Sequence, residues 1–382
     1  MFHFNKVEKR QLHVCIITTT HDRFDGRIFH RQAITLNNAG YRITFLVPGS
    51  FNGIEKGIRI ISFPLIKNKY KRLISNIRIV RTALKLKADI YHFHDPDFLL
   101  YGLVLKWISK QVVIFDVHED FSLVLLEREW IPKWLRKIYS AVYRFTEKFA
   151  SKVFDGIITA TDHIQTLFPK EESIIVHNYP ENKNKSLKRK NIIPNSLVYI
   201  GGLTPIRGIE EMLKAVVISR DKLPIEIHTY GQFTDMDYKK KIMSDFKHDY
   251  FHFHDVLPIN VMHQKASQYS AGIICYLPLP NHIESMPNKI FEYMMLGLPI
   301  IGSNFPLWKK LINDNKCGIT CDPTNPQKIA DAILTLFSDA TEIENKAQTS
   351  IELFNKCFTW TNEKQVLLNF YSSIIENSYN KI

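Results

Sequence analysis

The chain has 382 residues, of which 45% are hydrophobic and 23% are charged. This composition excludes wholesale disorder, and the length is sufficient for two domains with a core each. No apolar run approaches the roughly 18 residues that a membrane-spanning helix needs, residues 1–10 lack the apolar core of a secretory signal, and the five cysteines do not suggest a disulfide framework. We therefore expect a cytoplasmic protein.

The net charge of +12 is concentrated in one half of the chain. Residues 1–190 contain 32 Lys and Arg against 18 Asp and Glu, whereas residues 191–382 contain 18 against 20. A basic half joined to a nearly neutral half suggests contact with an anionic surface, for which membrane lipid and nucleic acid are the two candidates.

Strands and helices alternate through the first half, which predicts a parallel, doubly wound sheet. Helices are predicted at 28–39 and 67–87. Strands are predicted at 13–19, 42–47, 58–63, 89–94, 112–117, 156–160 and 173–177. Polar stretches follow three of these strands, at 20–27, at 92–97 and at 118–120. In such a sheet these stretches share the carboxyl edge, where ligands bind.

Aromatic and cationic side chains are mixed between residues 129 and 145. Trp and Tyr beside Lys and Arg are typical of a membrane interface, but a helix that packs on its own domain has the same composition. Both interpretations remain open. Residues 181–191 are rich in lysine, have no apolar periodicity and are interpreted as a linker between domains.

The second half repeats the alternation, with an amphipathic segment at 361–374. Strands are predicted at 197–201, 225–230, 250–254, 272–276, 298–301 and 318–321. We expect a second doubly wound domain.

A glycine turn follows the first strand of the second half. Gly201 and Gly202 lead into Thr204, Pro205 and Arg207, and a helix is predicted at 209–217 with Thr204 as its cap. Backbone N–H groups, a helix dipole and a cation facing one point form a general phosphate-binding arrangement. The Walker pattern is absent.

A second motif runs from 284 to 301. Ser285 is predicted to cap a short helix that ends at Gly297, with Pro287 in its first turn. Lys289 and Glu292, three residues apart, share a face of that helix. Two carboxylates and an ammonium near a helix N-terminus suit a ligand with both phosphates and sugar hydroxyls.

The spacing of Glu284 and Glu292, followed by a helix, a glycine and an apolar strand, resembles the motif of retaining glycosyltransferases of family 4. The wording Pro-Asn-Lys-Ile-Phe-Glu-Tyr-Met at 287–294 is similar to bacterial surface-polysaccharide enzymes. The resemblance implies the GT-B fold, in which two doubly wound Rossmann-like domains face a central cleft. It implies an acceptor domain at 1–185, a donor domain at 191–360, and a helix at 361–382 that crosses back to the first domain.

The resemblance also implies roles for individual residues. His118 and Glu284 are expected to act on the donor sugar, and Glu292 to bind the ribose hydroxyls. The family's arginine in the glycine turn is replaced by Gly202, and Arg207 takes the place of its lysine. Lys289 is our hypothesis for the second cation. Donor binding is expected from Gly26, Gly202, Arg207, Asn288, Lys289 and Glu292.

The donor implied by the resemblance is a nucleoside-diphosphate sugar, most often a UDP-sugar, with its base near residues 254–257. The leaving phosphate is thought to act as the base, so no protein nucleophile, metal or cofactor is required. The acceptor is expected to be a lipid-linked saccharide in O-antigen, capsule or lipopolysaccharide synthesis. The basic first domain would contact the inner face of the cytoplasmic membrane, and nucleic acid would not be a partner.

Three alternatives remain. His92, His94, Asp95 and His118 have the ligand types of a metallohydrolase. The same fold also supports sugar-nucleotide epimerisation or hydrolysis. A basic membrane- or RNA-binding protein is the non-enzymatic alternative, although no known nucleic-acid module is visible.

Cys317 and Cys321 have the spacing of half a zinc site, but core positions suit them better.

Overall fold

The computed structural model describes residues 11–66, 69–128, 130–171, 173–181, 189, 191–247 and 249–379. The chain divides into a first unit, Met1–Asn178 with Trp360–Ile382, and a second unit, Tyr179–Thr359. Most of the predicted linker at 181–191 lies outside the described residues.

The first unit contains an eight-stranded sheet in the order β3-β4-β2-β1-β5-β6-β7-β8. All its neighbouring strands are parallel except β3 and β4, which are antiparallel. The strands are β1 His13–Ile17, β2 Arg42–Pro48, β3 Gly53–Glu55, β4 Ile58–Phe63, β5 Ile90–Phe93, β6 Val112–Val117, β7 Gly156–Thr159 and β8 Ser173–Ile175.

The central strands of this sheet are buried on both faces, since every residue of β1, β5, β6 and β7 is buried. Continuous apolar runs of this kind are typical of parallel strands covered by helices. The seven predicted strands are confirmed with small shifts in their ends. The short β3 was missed because three residues carry too little periodicity to be recognised.

The helices of the first unit lie between the strands. The predicted helix at 28–39 begins earlier, as a π-helical segment at Gly26–Ala33, where the Asp25 carboxylate accepts hydrogen bonds from the backbone of Arg27 and Ile28. Residues 67 and 68 of the next predicted helix lie outside the described residues. The α-helices are α1 Ile34–Asn38, α2 Lys69–Leu86, α3 Leu99–Ser109, α4 Phe121–Glu127, α5 Lys133–Ser151 and α6 Asp162–Gln165.

The second unit contains a six-stranded parallel sheet in the order β11-β10-β9-β12-β13-β14. Strands β9, β10 and β11 are added toward one edge of the sheet, and β12, β13 and β14 toward the other edge. The position between β9 and β12 is therefore a topological switch point, where ligands bind beyond the carboxyl ends of the strands. The predicted strands are confirmed, although β9 and β12 begin earlier and β13 begins later. The strands are β9 Ile193–Ile200, β10 Glu226–Tyr230, β11 Phe251–His254, β12 Tyr269–Ile274, β13 Ile300–Ser303 and β14 Gly318–Cys321.

The helices of the second unit enclose a core that runs through both faces of its sheet. Cys317, which directly precedes β14, and Cys321, the last residue of β14, are buried there as free thiols. The helices are α7 Ile209–Ser219, α8 Met236–Asp245, α9 Ile259–Ala266, α10 Pro280–Ile283, α11 Asn288–Met295, α12 Pro306–Ile312, α13 Pro326–Phe337 and α14 Ala340–Cys357.

The final helix, α15 Trp360–Tyr379, packs into the core of the first unit. The Trp360 indole donates a hydrogen bond to Thr35 Oγ1 at 3.1 Å, and the Tyr371 hydroxyl lies 2.8 Å from His92 Nδ1. Both aromatic side chains are almost fully buried. Across the part of the chain that the structure describes, no helix combines the length and apolarity needed to span a membrane.

Candidate functional site

The glycine turn after β9 is built on backbone contacts. Gly201 has φ +137°, and its N–H donates to the Tyr230 carbonyl at 2.8 Å. Leu203 N–H donates to the Gln232 carbonyl at 2.9 Å. A Cβ on Gly231 would collide with the Gly201 carbonyl, so the turns after β9 and β10 touch at backbone distance. Glycine is required here because the chain takes a left-handed conformation and leaves no room for a side chain.

Two cations converge on this turn. A Cβ on Gly201 would lie 3.0 Å from Lys289 Nζ and 3.3 Å from Arg207 Nη1. Arg207 Nη1 also donates to the Gly202 carbonyl at 3.3 Å, and its guanidinium lies 5.6 Å from the centre of the Tyr276 ring. We call Gly201, Gly202, Arg207 and Lys289 the cationic corner. The structure therefore brings together the two motifs that the sequence singled out separately.

The helix that carries Lys289 is anchored by Tyr293. This buried hydroxyl accepts a hydrogen bond from Ile200 N–H at 3.1 Å and lies 3.3 Å from the Ile273 carbonyl, to which it donates. The helix begins at Asn288, so Asn288 and Lys289 lie in the first turn, where backbone N–H groups lack intrahelical partners. Glu292 follows one turn later and is partly buried.

Both predicted helix caps are wrong. Ser285 Oγ donates back to the His282 carbonyl at 3.2 Å, and Pro287 occupies the cap position of α11. Thr204 precedes a short 3-10 turn, Pro205–Arg207, and its side chain makes no capping bond. Gly208, with φ +68°, redirects the chain so that α7 begins at Ile209.

Glu284 lies on the turn that ends α10, and it is exposed. The segment around it is held by side-chain bonds from both sides. Trp308 Nε1 donates to the Ser285 carbonyl at 2.7 Å, and His282 Nδ1 lies 2.9 Å from the Leu277 carbonyl. Glu284 is therefore presented from a fixed loop rather than from a helix.

The first unit contains a separate polar cluster around Asp116, the fifth residue of β6. Arg27 makes a bidentate pair with this carboxylate, at 2.7 Å from Nη2 and 3.0 Å from Nε. Gln32 donates to it at 2.6 Å, and His94 and His118 lie 3.3 and 3.5 Å away. Asp116 thus holds the start of the π-helical segment, β5 and β6 together.

Burial and the neighbouring charges fix the protonation of this cluster. Burial of Asp116 alone would raise its pKa, but Arg27 and His118 hold the pKa of the carboxyl well below its ordinary value. Burial lowers the pKa of His94, against the opposing effect of Asp116, and lowers the pKa of His92 further. His92 and His94 are therefore neutral near pH 7, beside an ionised Asp116.

Asp95 joins the polar loop after β1 to the end of β5. Its carboxylate accepts hydrogen bonds from the Thr18 hydroxyl and from Thr19 N–H, both at 2.6 Å, and from the Thr20 hydroxyl. His21 Nδ1 lies 3.0 Å from the other oxygen. Burial alone would lower the pKa of His21, but the hydrogen bond and charge of Asp95 raise it. Burial would raise the pKa of Asp95, and these partners lower it.

His118 follows β6 and lies at the exposed side of this cluster. Its Nε2 is 3.2 Å from His94 Nδ1, and its ring centre is 5.3 Å from that of His21. Gly26 opens the π-helical segment after the 20–27 loop. The three polar stretches predicted to share one edge of the sheet do so.

The metallohydrolase alternative assigned His92, His94, Asp95 and His118 to a metal. His92, His94 and Asp116 do offer ligand atoms within 4.8 Å of one another. However, Arg27 already neutralises Asp116, and hydroxyl and amide donors with His21 occupy both oxygens of Asp95. The negative charges of Asp116 and Asp95, which would attract a metal ion, are thus already compensated by protein groups.

Sequence reasoning missed two clusters. The Arg27–Asp116 pair joins positions 89 residues apart, and nothing in the local pattern connects them. Glu226, His228, His252 and His254 meet on neighbouring strands of the second sheet. Their signal was available, because acidic and imidazole side chains alternate at the two-residue period of a strand.

Two sheets of mainly parallel strands, with a cationic glycine turn on one and a histidine–aspartate cluster on the other, define a GT-B glycosyltransferase. A family model described as "Glycosyltransferase Family 4" matches residues 26–170, and one described as "Glycosyl transferases group 1" matches residues 194–339. The chain therefore belongs to the family 4 glycosyltransferases. No curated protein matches its sequence significantly.

Solved structures share the fold at low sequence identity. Sucrose-phosphate synthase from Thermosynechococcus elongatus has a TM-score of 0.74 at 14% identity, covering 96% of this chain and 100% of that one. Anabaena HepE in complex with UDP-glucose has a TM-score of 0.70 at 13% identity, covering 95% and 100%. Trehalose 6-phosphate synthase from Burkholderia multivorans has a TM-score of 0.67 at 10% identity, covering 97% and 98%.

Proposed function

We propose that this glycosyltransferase moves a sugar, with retention at the anomeric carbon, from a UDP-sugar to a saccharide acceptor. The observation that carries the proposal is the convergence of Arg207 and Lys289 on Gly201. Two cations beside a glycine turn and the first turn of a helix suit a diphosphate. UDP and UDP-glucose are bound by the structurally similar HepE, which favours uridine as the nucleoside.

The chemistry follows from charge. Cleavage of the bond between the anomeric carbon and the diphosphate leaves positive charge on the sugar and additional negative charge on the phosphate. Cations held beside that phosphate stabilise the transition state more than the bound substrate. The leaving phosphate can take the acceptor proton, so the transfer needs no protein nucleophile, metal or cofactor.

The remaining residues complete the assignment. We assign Glu292 to the ribose hydroxyls, and Asn288 to the nucleotide beside Lys289. Glu284 and His118 are assigned to the donor sugar, and Gly26 to the approach of the donor to the first unit. Their positions support these roles, since Glu284 is exposed on a fixed loop and His118 is held by neighbouring histidines.

The proposed acceptor is a lipid-linked saccharide of surface-polysaccharide synthesis, and a face of the first unit supports contact with an anionic membrane. Helices α3 and α5 contact each other, and each exposes large apolar side chains, which we together call the α3–α5 face. Its members are Leu100, Val104, Trp107, Ile108, Trp134, Ile138, Tyr139, Val142, Phe145 and Phe149.

The charged residues beside the α3–α5 face are complementary to an anionic membrane. The exposed cations of the two helices and their ends are Lys110, Lys133, Lys137, Lys148 and Lys152. The acidic residue of α5, Glu147, is buried on the opposite side. An apolar helix face with aromatics and flanking lysines is suited to lie in the headgroup region of an anionic bilayer.

Thermal-shift measurements across nucleotides and nucleotide sugars test the donor assignment, because the true donor raises the melting temperature most. We expect UDP and a UDP-sugar to stabilise the chain more than guanosine or adenosine equivalents. The variants Glu292→Gln and Arg207→Ala should fold normally and lose most of this shift and most transfer. Unchanged transfer in both variants would contradict the assigned roles.

A further inference from the structure

A cluster of four side chains lies on one face of the second sheet, where β10 meets the edge strand β11. His228 is the register partner of His252, and Glu226 and His254 lie two residues before and after them on the same face. We call Glu226, His228, His252 and His254 the edge cluster. His254 ends β11 and begins the 254–257 stretch that is expected beside the nucleobase, and the other three residues have no role in the donor assignment.

Three of these side chains hold possible ligand atoms close together. Glu226 Oε2 lies 3.1 Å from His252 Nε2 and 3.8 Å from His228 Nε2, and all three atoms lie within 4.8 Å of one another. Ligand atoms about 2.0–2.1 Å from a tetrahedral ion are separated by about 3.3 Å. The His228 and His252 rings are stacked with their centres 4.3 Å apart, so the two imidazoles must tilt toward each other for their Nε2 atoms to reach these distances around a shared ion.

The fourth side chain orients the central ligand. His254 Nε2 lies 3.1 Å from His228 Nδ1, so these two nitrogens share one hydrogen bond. When His228 Nδ1–H donates to His254, its Nε2 carries a bare lone pair that faces the Glu226 carboxylate. A hydrogen bond on the second nitrogen of a ligating histidine is the usual arrangement at metal sites.

The Nε2 atom of His228 is buried and has no hydrogen-bond partner among the described residues. In the tautomer that donates to His254, the lone pair of this atom faces the Glu226 carboxylate, and a cation between the two would stabilise that arrangement. The buried His228 Nε2 without a hydrogen-bond partner is the observation that identifies the edge cluster as a candidate site.

We propose that Glu226, His228 and His252 bind a divalent transition-metal ion of the zinc class, with His254 as a positioning residue. Two imidazoles and one carboxylate suit Zn²⁺ or Co²⁺ rather than Mg²⁺ or Ca²⁺, which prefer oxygen ligands. The side chains of Glu226 and His252 are 42% and 31% exposed, which leaves a fourth position open to water. The ion would cross-link β11 to β10 and would take no part in glycosyl transfer.

Titration of the metal-stripped full chain with Zn²⁺, and with Co²⁺ followed by its visible absorption, tests the proposal. The chain must carry no histidine tag. We expect one ion per chain and a melting temperature that rises on metal addition. Glu226→Gln and His252→Gln should each weaken binding by at least tenfold, and His254→Gln by roughly 10–100-fold, the usual effect of losing an orienting partner.

His163→Gln is the matched control, because His163 is 29% exposed and also lies near a carboxylate, that of Asp120. It should leave Zn²⁺ affinity unchanged. Unchanged melting temperatures of the metal-free variants would show that the folds are intact. Absence of stoichiometric binding to the wild type, or binding that persists in both Glu226→Gln and His252→Gln, would overturn the proposal.

Discussion

The ammonium of Lys289 lies beside the backbone of Gly201, with Nζ 3.0 Å from the position that a Cβ on Gly201 would occupy. Lys289 belongs to α11 and Gly201 to the turn after β9, so this approach joins two segments 88 residues apart. A larger residue at position 201 would displace the lysine and strain the turn at once. The proposed diphosphate site depends on this single close approach.

Gly201→Ala should therefore impair both stability and nucleotide binding. At φ +137° an alanine is strained by about 1–3 kcal/mol, and its methyl group would also displace Lys289. We expect a lower free energy of unfolding in urea and a UDP affinity reduced at least tenfold. Calorimetric titration of the folded variant measures the second effect separately.

Gly40→Ala provides the control for backbone strain alone. Gly40 has φ +95°, and nothing lies within 4 Å of the position that its Cβ would take. This variant should lose stability and keep its UDP affinity. Equal UDP affinities for the Gly201 and Gly40 variants would contradict the role given to the cationic corner.

Much of the architecture follows from the sequence because buried parallel strands are continuous apolar runs. The strand at 112–117 was predicted with its observed ends, since all its residues are buried and polar residues follow it. The caps at Ser285 and Thr204 were wrong because capping residues have alternative local partners, here the His282 carbonyl for Ser285. The local sequence does not determine whether such a side chain caps the helix or bonds to another nearby group.

The candidate site also contains features that the sequence predicted and features that it did not. The nearness of Arg207 and Lys289 was anticipated because both follow strands whose carboxyl ends share an edge. The Arg27–Asp116 pair was not anticipated, because a tertiary contact between a loop and the interior of a strand has no local pattern. The edge cluster was missed although its two-residue alternation was visible.

Asp116→Asn should destabilise the protein strongly. The carboxylate is buried and receives both nitrogens of the Arg27 fork, so its neutralisation leaves a buried guanidinium without its counter-charge. We expect a loss of about 3–5 kcal/mol in the free energy of unfolding, measured by urea denaturation. Asp237→Asn, at a 92% exposed carboxylate beside Lys240, should change it by less than about 0.5 kcal/mol. A comparable loss in the two variants would argue against this account of Asp116.

Glu147 should make stability depend on pH. Burial raises the pKa of this carboxyl to about 7 against the opposing charge of Arg144, whereas the unfolded chain ionises it near 4.5. The folded state therefore binds more protons between these values, and stability falls as pH rises from about 4.5 to about 7. At about 1.4 kcal/mol per pH unit the fall is roughly 3 kcal/mol.

Urea denaturation of Glu147→Gln across this pH range isolates the contribution. The difference in unfolding free energy between wild type and variant should change with pH and become constant above about pH 7. Glu342→Gln, at a 53% exposed carboxylate beside Lys346, is the control for loss of a surface charge and should change the free energy of unfolding by less than about 1 kcal/mol. A flat difference for Glu147→Gln would exclude a raised pKa.

The α3–α5 face should bind vesicles that contain anionic lipid. Trp134 and Phe145 are 74% and 76% exposed, and insertion of both rings would bury apolar area beside the flanking lysines. Trp134→Ser with Phe145→Ser should reduce sedimentation with such vesicles at least tenfold, and added salt should weaken it. Ile54→Ser, at a 74% exposed position on β3, should bind like the wild type. Equal binding to purely zwitterionic vesicles would contradict the charge complementarity.

The most direct test of the diphosphate site compares the affinities of UDP and UMP by calorimetric titration. The second phosphate should strengthen binding to the wild type at least tenfold, because Arg207 and Lys289 act on it. Lys289→Met should remove about 1.5–3 kcal/mol of that preference, and Lys309→Met, at an exposed lysine of α12, should leave it unchanged. A preference for UDP that survives in Lys289→Met, or that is absent from the wild type, would contradict the account.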